Sequence, residues 1–137
     1  MKIDHVFDIR TIEQIIKQAG SPSLKKEAAY LRTAKFFGKG KFKCGIISSG
    51  TGFYAGTLNK EHFRLVSIAV VEREHGKGYG TAMMLEIIKQ CRRRRIKKIT
   101  LRTNRQEQAV NFYKKFGGKI VGINGDDWEM EIPICFT

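Results

Sequence analysis

The stretch "LVSIAVVEREHGKGYGTAMMLEII", residues 65–88, limits the possible folds more than any other part of the chain. It opens as an apolar, β-branched run that reads as a strand, places Gly76, Gly78 and Gly80 within five positions, and closes as an amphipathic helix. Such a junction must turn sharply and start a helix whose first backbone N–H groups have no partner inside the helix. Those donors, with roughly half a positive charge from the helix dipole, make a seat for a phosphate group. The glycines adopt backbone conformations closed to other residues and bring their amides near a ligand, and Lys77 adds charge. Spacing excludes two familiar nucleotide loops. G-x-x-x-x-G-K-[ST] occurs nowhere. The dinucleotide fingerprint needs Gly or Ala at its sixth position, where this chain has Thr81 counted from Gly76 or Met83 counted from Gly78. Taken alone, the loop also fits a tight turn that holds nothing.

The remaining sequence builds a sheet around that junction. "KIDHVF" predicts a first strand, and "DIRTIEQIIKQAG" a helix with Ile9, Ile12, Ile15 and Ile16 at helical spacing and Gly20 as its stop. "SPSLKKEAAYLRTAKFFGKG" predicts a second helix, capped by Ser21, with Pro22 in its first turn and Gly38 at its exit. "KFKCGIIS", "GFYAGTL" and "HFRLVSIAVV" are rich in β-branched and aromatic residues, and "SSGTG" and "NKE" between them suit antiparallel hairpins. After the glycine loop, Ala82, Leu85, Ile88, Met84 and Ile87 form the expected apolar stripe of the next helix. "KKITLRT" reads as a strand, and "EQAVNFYKKFGG" as a helix through Ala109, Val110, Phe112, Tyr113 and Phe116. "KIVGI" and "WEMEIPI" close the chain as a strand pair around "NGDD", with Trp128, Met130 and Ile132 on one face. The order β-α-α-β-β-β-α-β-α-β-β predicts an α+β fold in a single domain over residues 1–137: a mixed, mostly antiparallel sheet flanked by helices.

Charge and cysteine usage narrow the partners only coarsely. Twenty-six Lys+Arg against 13 Asp+Glu leave a net charge of +13, which attracts a polyphosphate cofactor, nucleic acid or an acidic protein without choosing among them. The run "CRRRRIKK", residues 91–98, reads either as a solvated helix end or as part of an RNA-binding patch. No apolar run approaches the roughly 18 to 20 residues of a membrane span, and "MKIDHVFDIR" lacks the apolar centre of a signal peptide, so the expected location is cytoplasmic. Cys44, Cys91 and Cys135 have neither disulfide-framework nor zinc-ligand spacing, so no metal is expected and all three read as core thiols.

Two motifs in order carry a family resemblance. "VSIAVVEREHGKGYGTAMMLEII" resembles the acetyl-coenzyme A motif of the GNAT superfamily of N-acetyltransferases, a strand followed by [QR]-x-x-G-x-[GA], here His75 to Gly80. "NRQEQAVNFYKKFGG" resembles the superfamily's later helix motif N-x-x-A-x-x-x-Y-x-x-x-G-F, with Ala109, Tyr113 and Gly117 at matching spacing. The resemblance implies a GNAT-like sheet and acetyl-CoA as co-substrate. It implies that His75, Gly76, Lys77, Gly78, Tyr79, Gly80 and Thr81 hold the pyrophosphate, and that the main chain of Ile68, Ala69 and Val70 pairs with pantetheine. It also makes Tyr113 the acid for the departing thiolate, a role open to a phenol that keeps its proton at neutral pH.

The chain departs from the pattern in several places. His75 replaces Gln or Arg, Gln106 stands at the usual Asn position with Asn104 two residues earlier, and Gly118 replaces the closing Phe. Either Asn104 or Gln106 is a candidate cofactor contact. The positions where relatives carry a glutamate base hold Arg64 and Leu101. His62, on the same strand face as Arg64, is then a candidate for moving a proton through water, or simply a surface histidine, and Glu61, Glu72 and Glu74 are further acids to place. The resemblance implies an N-acetyltransferase in which a primary amine attacks the thioester of acetyl-CoA directly. The alternative is a basic module binding RNA or an acidic protein on a GNAT-like fold with little turnover.

Overall fold

The computed structural model of the protein describes residues 2–6, 8–19, 41–47 and 49–136. The predicted second helix, over residues 21–40, and the Gly20 stop lie outside the described residues. In chain order the elements are β1 (Ile3–Asp4), α1 (Ile9–Gln18), β2 (Lys41–Ile47), β3 (Gly52–Leu58), β4 (His62–Val70), a 3-10 turn (Glu72–Glu74), α2 (Tyr79–Arg93), β5 (Lys98–Thr103), α3 (Glu107–Lys114), β6 (Lys119–Asn124) and β7 (Asp127–Pro133). The first strand is shorter than "KIDHVF" suggested.

The strands form one sheet in the order β1-β2-β3-β4-β5-β7-β6. Every neighbouring pair is antiparallel except β4 and β5, which run parallel. A parallel pair needs a crossover connection, and α2 supplies it. The last strand, β7, inserts between β5 and β6, so the final hairpin presents β6 at the sheet edge.

Helices bury each face of the sheet. α1 starts at Asp8, whose carboxylate accepts the Arg10 and Thr11 amides at 3.1 and 3.3 Å, and its period places Ile12, Ile15 and Ile16 against Ile46, Phe53 and Ala55. Each such side chain stabilises the fold by about 1.5–3 kcal/mol on burial. On the other face, Met83, Met84, Ile87, Ile88 and Cys91 of α2 pack on Phe63, Leu65, Ile99, Leu101, Met130 and Ile132. This corrects the predicted stripe. At 3.6 residues per turn Leu85 falls outside the arc that these five residues define, and it is 56% exposed. A second correction concerns the thiols: Cys44 and Cys91 are buried, but Cys135 is exposed beyond the end of β7.

Tyr54 shows how the larger core accommodates a polar group. Its ring is fully buried while its hydroxyl accepts the Gln90 amide at 3.2 Å, and burial pushes its pKa up to about 12. Gly45 makes room for that ring, because a Cβ there would overlap it.

Candidate functional site

The site begins where β4 and β5 stop pairing. Their parallel ladder runs from His62 opposite Lys98 to Leu65 opposite Leu101 and ends there, although β4 continues to Val70 against β3 and β5 to Thr103 against β7. At the same level β4 carries a bulge: Gly56 faces Leu65 and Ala55 faces Ser67, so Val66 is the extra residue. One added residue flips every later side chain to the other face. Phe63 and Leu65 point into the α2 core, as do Ile68 and Val70, whereas Ala69 joins the α1 cluster. The bulge bends β4 away from β5, leaving its edge from Ile68 to Val70 without a strand partner on the β5 side among the described residues.

Beyond Val70 the chain forms the glycine loop. Gly76 and Gly78 have φ values of +80° and +84°, a region in which any side chain is strained. Gly78 is the N-cap of α2; no side chain caps this helix and no acid stands in its first turn. The helical ladder starts with the Ala82 amide donating to the Gly78 carbonyl at 3.0 Å, so the amides of Tyr79, Gly80 and Thr81 precede it. Gly80 has a different reason: a Cβ there would press on Phe112 of α3 at 3.3 Å.

The side chains of the loop mostly hold its shape. His75 Nε2 donates to the Val70 carbonyl at 2.7 Å, tying the loop to the open end of β4, and this sets the proton on that nitrogen. Arg73 donates to Gln18 at the end of α1 at 2.6 Å. Lys77 pairs with Glu74 at 2.9 Å, and that hydrogen bond raises the lysine pKa, so its positive charge is largely offset within the loop. Glu72 is exposed.

The second half of the site comes from β5 and α3, which open at the same end of the sheet because β4 and β5 are parallel. Asn104 accepts the Gln106 amide at 3.0 Å, so its side chain shapes the turn into α3, and Gln106 is the N-cap residue with no capping bond of its own. Tyr113 lies half-buried on α3 against the main core, its ring edge-on to Phe112 at 5.1 Å between centroids. Gly117, at φ +86°, ends the helix with paired bonds from Gly117 to Lys114 at 3.0 Å and from Gly118 to Tyr113 at 3.1 Å. A Cβ at Gly118 would sit 2.7 Å from the Tyr113 carbonyl oxygen, which accounts for the missing phenylalanine.

The structure does not bring His62 to this end. It stands at the paired start of β4, bonded to Asn59 across the hairpin, eight residues and roughly 26 Å of strand from Val70. Glu61 lies beside it, accepting the Lys97 amide through its main chain. Leu101 is core. Arg64 donates both terminal nitrogens to Glu129 of β7, one at 3.0 Å, and Asn124 adds a third donor at 3.2 Å. Burial would raise the Glu129 carboxyl, but the Arg64 guanidinium and the Asn124 amide outweigh it and hold the pKa below the ordinary carboxylate range. Glu129 pairs with Arg102, the first level past the last β4–β5 pair, so this carboxylate flanks the opening. No motif in the sequence singles it out. The only signal was alternation, which sets Glu129 and Glu131 opposite Met130 and Ile132.

Comparison with known proteins agrees with this geometry. A family profile described as the acetyltransferase (GNAT) family matches residues 14–118. No curated protein matches the sequence. Among solved structures, the PaiA N-acetyltransferase from Thermoplasma acidophilum in complex with coenzyme A superposes with a TM-score of 0.74 at 18% identity, covering 97% of this chain and 99% of that one. The ribosomal-protein-S18-alanine N-acetyltransferase from Escherichia coli gives 0.76 at 16% identity, covering 99% and 95%. An aminoglycoside 6'-N-acetyltransferase complexed with coenzyme A gives 0.72 at 16% identity, covering 98% of each chain. At these identities the likeness is one of fold.

Proposed function

The chain belongs to the acetyltransferase (GNAT) family, and from that premise we propose that it is an acetyl-CoA-dependent N-acetyltransferase whose acceptor is a primary amine. The observation that carries the reading is the end of β4–β5 pairing at Leu65 and Leu101, continuous with the uncapped start of α2. An open strand edge leading to free helix amides fits a long ligand with a phosphate at one end. Bound acetyl-CoA supplies an acetyl group activated as a thioester.

The chain's residues bind, orient and move protons. The amides of Gly78, Tyr79, Gly80 and Thr81 seat the pyrophosphate, with the loop shaped by His75 and Gly76 and by the Lys77–Glu74 pair. The main chain of Ile68, Ala69 and Val70 takes the pantetheine arm, and an N–H of this edge meets the negative charge that grows on the acyl oxygen as the amine attacks. The Tyr113 hydroxyl gives its proton to the departing sulfur. Asn104, engaged in its turn, or Gln106 borders the coenzyme from the turn that leads into α3. With Arg64 and Leu101 at the two base positions, the amine loses its proton to solvent, so kcat/KM rises with pH up to the acceptor's own pKa.

The test is release of coenzyme thiol from acetyl-CoA with polyamines, aminoglycosides, peptide N-termini and lysyl peptides side by side. One class should accelerate release above hydrolysis and gain one acetyl group by mass. Tight acetyl-CoA binding with no acceleration by any of these amines would contradict the reading.

A further inference from the structure

The far end of α2 carries a charge arrangement that the coenzyme does not use. Arg92, Arg93, Arg94, Arg95 and Lys97 are all exposed, and among the described residues none has a carboxylate within ion-pair distance. Several other basic groups are matched, Arg64 with Glu129, Lys77 with Glu74, Lys98 with Glu131 and Arg102 with Asp127, and exposed cations that lack a carboxylate among the described residues, such as Lys60, Lys89 and the pair Lys114 and Lys115, stand singly or in twos rather than in a run. A helix C-terminus favours one or two cations, but four consecutive arginines also repel one another. Arg95 sharpens the point. It is the one described non-glycine residue with positive φ, at +55°, and occupies the left-handed position that ends α2, where bonds run from Arg95 to Arg92 at 3.2 Å and from Ile96 to Cys91 at 2.9 Å. Glycine is the residue that suits this position. The chain therefore places an arginine where the fold favours its absence.

A second feature adjoins the cluster. Arg92 Nε donates to the Cys135 carbonyl at 3.2 Å, which brings the main chain just before Phe136, a residue 49% exposed, against the end of α2. Unmatched cations next to an exposed aromatic ring combine the two elements of single-strand binding, phosphate neutralisation and a face on which a base stacks. Guanidinium planes stack on unpaired bases as well.

We propose that this cap, formed by Arg93, Arg94, Arg95, Lys97 and Phe136, docks single-stranded RNA. It lies about 20 Å from the glycine loop along the 15 residues of α2, so a strand held there leaves the coenzyme seat clear. An acidic polypeptide would satisfy the arginines but give Phe136 no base to stack on.

Fluorescence anisotropy with a labelled single-stranded RNA, titrated across salt, tests the proposal. Four cations predict a slope of log K against log salt near −3, at about 0.7 per phosphate. Arg95→Gly should lower that slope by about 0.7 while the melting temperature stays level or rises, a pair of effects that a structural role would not give. Arg93→Gln with Arg95→Gly and Lys97→Gln should remove about 2 from the slope, and Phe136→Ala should weaken binding fivefold or more. Saturating coenzyme A should leave RNA affinity unchanged, and the triple variant should keep wild-type affinity for coenzyme A. Wild-type RNA binding by the triple variant, full competition by coenzyme A, or equal affinity for duplex RNA or polyglutamate would overturn it. Single-stranded DNA held more tightly than RNA would also reject the assignment.

Discussion

Thr81→Glu should stabilise the protein and abolish coenzyme binding, two effects that a general packing defect cannot produce together. Thr81 is the third residue of α2, in a first turn with neither an acid nor a side-chain cap. A carboxylate there interacts favourably with the free amides and the dipole, by about 0.3–1 kcal/mol. For a chain of this size that is a rise in Tm of roughly 1–4 °C. The same carboxylate occupies the seat assigned to the pyrophosphate. Losing two charge-assisted hydrogen bonds at about 1.5–3 kcal/mol each amounts to about 3–6 kcal/mol, or roughly 10²- to 10⁴-fold in Kd. Isothermal titration with acetyl-CoA, paired with a melting curve, reads both quantities, and Thr81→Gln separates charge from size. Gly76 and Gly78 are poorer targets, because at their positive φ any side chain strains the loop before a ligand arrives. Unchanged affinity in Thr81→Glu would refute the helix-terminus site, and a lost affinity with a lowered Tm would mean that the loop had been disrupted instead.

Further predictions follow from individual contacts. Tyr113→Phe should lower kcat at least 100-fold with little change in acetyl-CoA Kd, measured by thiol release and calorimetry. Gly56→Ala should cost about 2 kcal/mol and roughly 5–10 °C of Tm, because its methyl group would meet the Phe63 ring and lie 2.5 Å from the Arg64 carbonyl at the bulge. The lowered pKa of Glu129 makes its contribution to stability complete above about pH 4.3 and lost as pH falls through its folded value. Glu129→Gln should therefore flatten that part of the acid limb of a pH-denaturation curve. A thiol reagent at neutral pH should label Cys135 fast and Cys44 and Cys91 slowly, since burial pushes the Cys91 thiol up to about 11 and Cys44 donates to the Val6 carbonyl at 3.0 Å.

The strands of the meander and the glycine loop were legible because alternation and turn residues are local signals. β2 to β4 and the final hairpin stand where "KFKCGIIS", "GFYAGTL", "HFRLVSIAVV", "KIVGI" and "WEMEIPI" placed them, to within a residue or two. What the sequence hid depends on pairing. The bulge at Val66 lies inside "LVSIAVV", an apolar run with residues buried on both faces, so period-2 patterning carries no register there. Arg64 and Glu129 are 65 residues apart and meet only because β7 inserts beside β5. Leu85 misled because "AMMLEII" is apolar all along, and only contact with the sheet decides which arc is buried. Cys135 misled because three apolar or basic settings look alike until the end of β7 is known. The strand–loop–helix junction comes from one contiguous stretch, residues 65–81, and was legible in it; the opening between β4 and β5 depends on pairing among strands distant in sequence and was not.

Hydrogen exchange with and without acetyl-CoA reads the two sets of backbone amides of the proposed coenzyme path by position. Binding should slow exchange at Ile68–Val70 and at His75–Thr81 together, linking the open edge of β4 to the first turn of α2. Unchanged exchange in both segments at saturating acetyl-CoA, with protection elsewhere, would contradict the account.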